Sequence, residues 1–189
     1  YGYREHEAMG GYDPYSSSKG CSELVTAAYR RSFFNGNSGV SLASARAGNV
    51  IGGGDWAEDR LIPDALRAFK AKLPVVIRNP LSTRPWQHVL EPISGYLMLA
   101  EKLYLQGDEY AEGWNFGPND NDVVSVGHVL DFLVEHWHEP VSWVLDKNEQ
   151  PHEAQLLKLD ISKATNRLKW KPIWNLEETL QSIVEWNRA

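Results

Sequence analysis

The residues whose types and spacing could do chemistry are Tyr15 and Lys19, in the run Tyr15-Ser16-Ser17-Ser18-Lys19. Positions i and i+4 of a helix stack one turn apart, so on a helix the phenol and the ammonium share a face. An ammonium beside a phenol favours the phenolate. That makes a base able to take a hydroxyl proton near neutral pH, and the same lysine can hold a ribose hydroxyl. The bare spacing describes a solvated surface pair just as well. Context favours the base: the pair opens a helix after a glycine-bearing loop, and Gly20 and Cys21 follow as small packing residues. Cys21 has no evident base partner and reads as packing rather than as a nucleophile. His136 and His138 are two apart, on different faces of a helix, which argues against a metal pair. No metal site is expected.

The elements that must position this pair follow from caps and periodicity. Asp13-Pro14 offers an N-cap followed by proline at the first helical position, which predicts a helix from about Pro14 to Phe34, ending at Asn35-Gly36. Val40 to Arg46 alternates as a strand and leads into the glycine-rich loop Gly48-Asn49-Val50-Ile51-Gly52-Gly53-Gly54-Asp55-Trp56. Further helices are expected over Leu61–Lys72, Glu91–Leu105, Ser125–His136, Ile161–Leu168 and Leu176–Trp186. Strands are expected at Val75–Arg78, Arg84–Val89, Trp114–Gly117, Trp143–Leu145 and Leu156–Leu159. Alternating helices and strands predict an α/β fold with a parallel sheet, whose ligands bind at the carboxyl ends of its strands. The loop after Val40–Arg46 sits at such an end. It does not match the dinucleotide glycine fingerprint in spacing or context.

Composition excludes several classes. The chain has 189 residues, 42% of them hydrophobic and 23% charged, ordinary values for a folded domain. Nineteen basic against 25 acidic residues leave a net charge of −6. With no strongly basic stretch, nucleic acid is not an expected partner. No apolar run approaches the roughly 20 residues of a membrane helix. A single cysteine excludes an internal disulfide framework and suits a reducing cytoplasm. Of the eight tryptophans, Trp114, Trp137, Trp170 and Trp186 read as core. Trp56 and Trp86 are read as packing, with stacking near a substrate as the alternative.

The segment Gly11-Tyr12-Asp13-Pro14-Tyr15-Ser16-Ser17-Ser18-Lys19-Gly20-Cys21-Ser22-Glu23 resembles the catalytic helix of extended short-chain dehydrogenases/reductases that act on nucleotide sugars. Within them, three more segments resemble the CDP-glucose 4,6-dehydratases: Arg46 to Trp56, Arg84-Pro85-Trp86-Gln87-His88-Val89-Leu90-Glu91-Pro92, and Glu112-Gly113-Trp114-Asn115-Phe116-Gly117-Pro118. The resemblance runs over essentially the whole chain. It implies the later part of a Rossmann-like parallel sheet plus a small α/β substrate-binding lobe. Residues 1–52 would be the end of the dinucleotide-binding domain with its catalytic helix. Residues 53–189 would be mainly the nucleotide-sugar lobe, with 88–120 returning to the Rossmann-like domain.

The implied cofactor is NAD and the implied substrate CDP-glucose. In that family the sugar is oxidised at C4, water leaves across C5 and C6, and hydride returns to C6, giving the 4-keto-6-deoxy sugar. Tyr15 would take the C4 hydroxyl proton, while Lys19 supports the phenolate and holds the nicotinamide ribose. Asn49 resembles the asparagine that meets the substrate diphosphate, unless it only satisfies its own turn. Arg84 resembles the arginine that clamps that diphosphate, a guanidinium suiting bidentate phosphate contacts, with a surface salt bridge as the alternative. Arg60, Leu61 and Ile77 fall where related enzymes hold the nucleotide base. Related epimerases carry Arg-Pro-Gly-Asp where this chain reads Gln150-Pro151-His152-Glu153, so His152 is either a replacement donor or a plain surface histidine. His88 is expected to pack or hydrogen-bond near the site.

The family's glycine fingerprint, its acidic ribose ligand, a catalytic threonine and a residue pair assisting dehydration would all precede Tyr1. The chain thus resembles the second part of such an enzyme. Either it pairs with itself or rearranges when alone, or the written sequence omits a preceding half. The full-length form is expected to be a homo-oligomer working in the cytoplasm, in deoxysugar synthesis for lipopolysaccharide.

Overall fold

The structure, a computed structural model, describes residues 1–36, 38–148 and 155–188. The chain divides into two compact units, one of residues 1–47, 90–117 and 159–171, the other of residues 48–89, 118–158 and 172–189.

In the first unit, helix α1 (Pro14–Ser32) begins where the sequence predicts. Asp13 Oδ1 accepts from the Ser16 N–H at 2.9 Å, and Pro14 follows the cap. The helix ends at Phe33. Strand β1 (Ser44–Ala47) is shorter and later than the expected Val40–Arg46, because Val40 to Ala43 have no ladder partner. Helix α3 (Leu90–Gln106) leads through a 3₁₀ turn (Gly107–Tyr110) to β5 (Gly113–Phe116), which pairs with β1 in parallel, Ser44 opposite Gly113 and Ala47 opposite Phe116. The expected Leu156–Leu159 strand reduces to isolated bridges, Leu159 to Tyr3 here and Leu156 to Thr83 in the second unit. Asp160 caps the next turn through the Ser162 N–H at 2.8 Å. The helix expected over Ile161–Leu168 closes as a π-helical segment, Ala164–Leu168, stopped by Lys169 at φ 59°. Leu99, Tyr110, Trp114, Phe116, Leu168 and Trp170 form the core. Gly95 is what allows α3 to lie on β5, since a Cβ there would come within 2.3 Å of the Phe116 ring.

In the second unit, β2 (Asn49–Ile51) runs parallel to β4 (Thr83–His88), and β4 pairs antiparallel with β6 (Val123–Ser125), a strand the sequence analysis does not expect. A separate parallel pair joins β3 (Val75–Ile77) to β7 (Trp143–Leu145). Three helices cover these strands: α2 (Leu61–Lys70), α4 (Val126–His136), capped by the Ser125 hydroxyl, and α5 (Leu176–Arg188). Their apolar stripes close one core with Ile77 and Trp86, contributed by Leu66 and Phe69 of α2, Leu130 and Leu133 of α4, and Leu180 and Ile183 of α5. The architecture is therefore α/β with parallel pairing.

Trp114, Trp137 and Trp170 are buried as expected. Trp186 is not: it is 51% exposed and lies over the backbone of Gly53, where a Cβ would meet its ring at 2.6 Å. Its position near the end of the apolar stripe of α5 puts it past the core. Cys21 is exposed on α1 rather than packed. No helix among the described residues is long and apolar enough to cross a membrane.

Candidate active site

Tyr15 falls in the first turn of α1, fixed there by the cap. Besides the backbone contact, Ser16 donates its hydroxyl to Asp13 Oδ2 at 2.6 Å, and the two Ser16 bonds hold the Asp13 carboxyl below the usual carboxylate range. The Ser17 hydroxyl donates to Gly11 O at 3.2 Å and the Ser18 hydroxyl to Tyr15 O at 2.7 Å, so all three serines between Tyr15 and Lys19 are bonded locally, Ser16 to the Asp13 carboxylate and the other two to backbone. The Tyr15 ring is left 70% exposed, with Lys19 Nζ 5.2 Å from its centroid. Lys19 makes no ion pair among the described residues.

What fixes α1 on its unit is polar. The helix has no fully buried residue. Its inward face carries Glu23, whose Oε1 accepts from Arg46 Nε at 2.8 Å and whose Oε2 accepts from Arg46 Nη2 at 3.0 Å and from the Ser44 hydroxyl at 2.6 Å. The Arg46 hydrogen bond lowers the Glu23 pKa; burial opposes it and Ser44 adds to it. Arg46 Nη1 also donates to Glu5 O at 3.3 Å, and Glu5 Oε1 accepts the Asn115 N–H at 3.0 Å. Two turns on, Arg30 Nε donates to Leu42 O at 2.6 Å. Arg46 and Glu23 stand in segments the sequence analysis singles out, yet no role is assigned to them there. The available signal was the glutamate four residues after Lys19 together with an arginine just before the glycine-rich loop.

The second unit holds the residues expected to contact nucleotide and diphosphate. Asn49, half-buried, opens β2 opposite Trp86 of β4, and strand alternation puts Arg84 on the same face as Trp86. Asn49 and Arg84 are thus brought together on adjacent strands. Arg84 is only 8% exposed and its Nη1 donates to Thr83 O at 2.9 Å, so it is not a surface residue. Arg60 is exposed at the N-cap of α2 and Leu61 is half-buried beside it. Ile77 lies in the apolar core. His88 is buried and packs on Trp174, ring centroids 4.5 Å apart. His152 lies outside the described residues.

The loop after β2 is braced by a residue that sequence reasoning did not single out. Arg67 of α2, paired with Asp64, donates to Trp56 O at 3.0 Å and Ala57 O at 3.3 Å. Trp56 itself is 58% exposed, tilted against Trp186 at 6.1 Å, with Lys70 Nζ 5.4 Å above its ring.

Comparison with known proteins places this arrangement. The whole chain is 59% identical to 54% of a CDP-glucose 4,6-dehydratase of Salmonella typhimurium. Over 99% of its length it is 25% identical to half of a dTDP-glucose 4,6-dehydratase of Escherichia coli. The chain thus spans about half the length of these relatives. Among solved structures, dTDP-glucose 4,6-dehydratase from Bacillus anthracis in complex with NAD superposes with a TM-score of 0.73 at 21% identity, over 99% of this chain and 56% of that one. UDP-glucuronic acid 4-epimerase from Bacillus cereus, in complex with UDP-glucuronic acid and NAD, gives 0.78 at 18% identity over 98% and 58%. These likenesses show the fold, a Rossmann-like α/β architecture. The family model described as GDP-mannose 4,6 dehydratase matches residues 2–183, and the chain belongs to that family.

Proposed function

We propose that this chain carries the base and the substrate contacts of an NAD-dependent enzyme that converts CDP-D-glucose to CDP-4-keto-6-deoxy-D-glucose. The observation that carries the reading is the exposed Tyr15 ring with the Lys19 ammonium 5.2 Å from its centroid, at the start of a capped helix. The choice of CDP-glucose rests on the 59% identity to the Salmonella typhimurium dehydratase.

Tyr15 and Lys19 fit the nicotinamide-ribose end of NAD: both are exposed and share one helix face, and the ammonium has no ion-pair partner among the described residues. When bound, NAD supplies a hydride acceptor for the sugar C4 and returns that hydride at C6. Tyr15 Oη takes the C4 hydroxyl proton. Lys19 supports the negative charge of the Tyr15 phenolate that takes this proton, and donates to a ribose hydroxyl. The C4 ketone acidifies the C5 proton, so water can leave across C5 and C6. Asn49 and Arg84 hold the diphosphate, the guanidinium in the bidentate manner that phosphate favours. Arg60, Leu61 and Ile77 are assigned to the nucleotide base, Ile77 from within the apolar core, and His152 is a further donor candidate. In this reading residues 1–52 complete a dinucleotide-binding domain, and most of 53–189 is the nucleotide-sugar lobe. The enzyme works as a cytoplasmic homo-oligomer supplying a deoxysugar for lipopolysaccharide.

The test is product analysis of the whole protein with NAD and a panel of CDP-, dTDP-, GDP- and UDP-glucose. The expected result is a 4-keto product from CDP-glucose in preference to the others. No 4-keto product from any of the four would overturn the reading.

A further inference from the structure

Glu23 is four residues beyond Lys19, as Lys19 is four beyond Tyr15. Each such step turns the helix by about 40°, so the three side chains form one slowly winding row, from the exposed Tyr15 and Lys19 to the half-buried Glu23. An acid and a lysine at this spacing are within ion-pair reach on any helix. Here they do not pair. The Glu23 carboxylate is turned to β1, where both oxygens are taken by Arg46 and Ser44. A bidentate guanidinium bond plus a hydroxyl bond at a half-buried site outweighs one exposed contact to a flexible ammonium. The charges facing Glu23 are Arg46 on β1 and Arg30 two turns further along α1. Both are fixed by backbone carbonyls, Glu5 O for Arg46 and Leu42 O for Arg30.

We propose that Arg46 is a positioning residue for Lys19: by detaining the Glu23 carboxylate on β1, it keeps the lysine ammonium unpaired and available to Tyr15. The proposal rests on the reading of Tyr15 and Lys19 as base and partner. Without Arg46, the only cation within one helical turn toward the N-terminus of Glu23 is Lys19. An ammonium neutralised by a carboxylate no longer supports negative charge on the phenol.

The experiment is a mutant cycle on the whole protein, Arg46→Met, Glu23→Gln and the double variant, read by turnover with CDP-glucose and by crystal structures. Arg46→Met is expected to lower kcat at least about tenfold, a part of the roughly hundredfold or more that a positioned base contributes, with little change in KM. In its crystal structure Glu23 should lie within ion-pair distance of Lys19. Glu23→Gln should fall less, and adding it to Arg46→Met should restore most of the lost kcat. A double variant as slow as Arg46→Met, or a Glu23 that stays on Ser44 in the single variant, would overturn the proposal, since a purely structural bridge is not repaired by deleting its second half. Where Arg46→Met does not fold, Arg46→Gln takes its place in the same cycle. A wild-type protein that forms no 4-keto sugar counts against the proposed function, while the position of Glu23 still decides the role of Arg46.

Discussion

Tyr15 takes its place from the two residues before it and the four after. The Asp13 cap and Pro14 set where the helix starts, and the locally bonded serines leave the ring exposed beside Lys19. On the proposed function, Tyr15→Phe should lower kcat by at least about a hundredfold while calorimetric binding of CDP-glucose stays close to wild type. Retained turnover would take the base role from Tyr15. Arg84 is a different case. Its burial makes it costly to leave unpaired, so Arg84→Lys is a cleaner probe than alanine and should weaken CDP binding by about tenfold through loss of the bidentate fork. Equal affinity would remove it from the diphosphate. Glu23 carries a pH signature. Its carboxyl is held below its unfolded value chiefly by Arg46, so the stability it adds is present above the unfolded pKa of about 4.3 and is lost as pH falls through the lowered folded value. Denaturant unfolding of Glu23→Gln should therefore show a shallower loss of stability below about pH 4.3 than wild type. Parallel acid limbs would contradict the assignment.

At the scale of elements, the helices were legible because their signals are local. Caps at Asp13, Ser125 and Asp160 each find the backbone N–H the sequence implies. The strands were less so, because a strand is defined by its partner. Val40 to Ala43 alternate properly yet have no ladder, while β6 is too short to show a period and exists because β4 is beside it. Trp186 misled for a related reason: its apolar type fits the stripe of α5, but the core ends at Val184 and the ring goes to the Gly53 backbone instead. Arg46 and Glu23 were visible as residues but not as a pair, since their contact joins a helix to a strand 23 positions away. Close approach makes its own prediction at Gly95. Gly95→Ala sets a methyl carbon 2.3 Å from the Phe116 ring and should cost about 1–3 kcal/mol by denaturant unfolding. A neutral result would mean that α3 shifts freely on β5.

For the whole molecule, the α/β class and parallel pairing followed from the alternation of elements, and the family followed from four ordered motifs rather than from any one spacing. The physics of Tyr15 and Lys19 alone left a surface pair open. What narrows it is the set of matching motifs, which on the proposed function gives Tyr15 and Lys19 the roles of base and support; Asn49 and Arg84 lie on paired strands of the second unit. The glycine-rich loop adds something of practical use. Trp186 rests on Gly53, and Trp56 lies 6.1 Å from it under Lys70, with Arg67 holding the backbone beneath. Two indoles that close, one of them beside a cation, form an optical reporter fixed to the loop expected to meet the nucleotide. Ligand that displaces the loop will alter the emission of this pair, and Trp56→Phe will silence that part of the signal, so binding can be followed by light alone, without turnover and without a label.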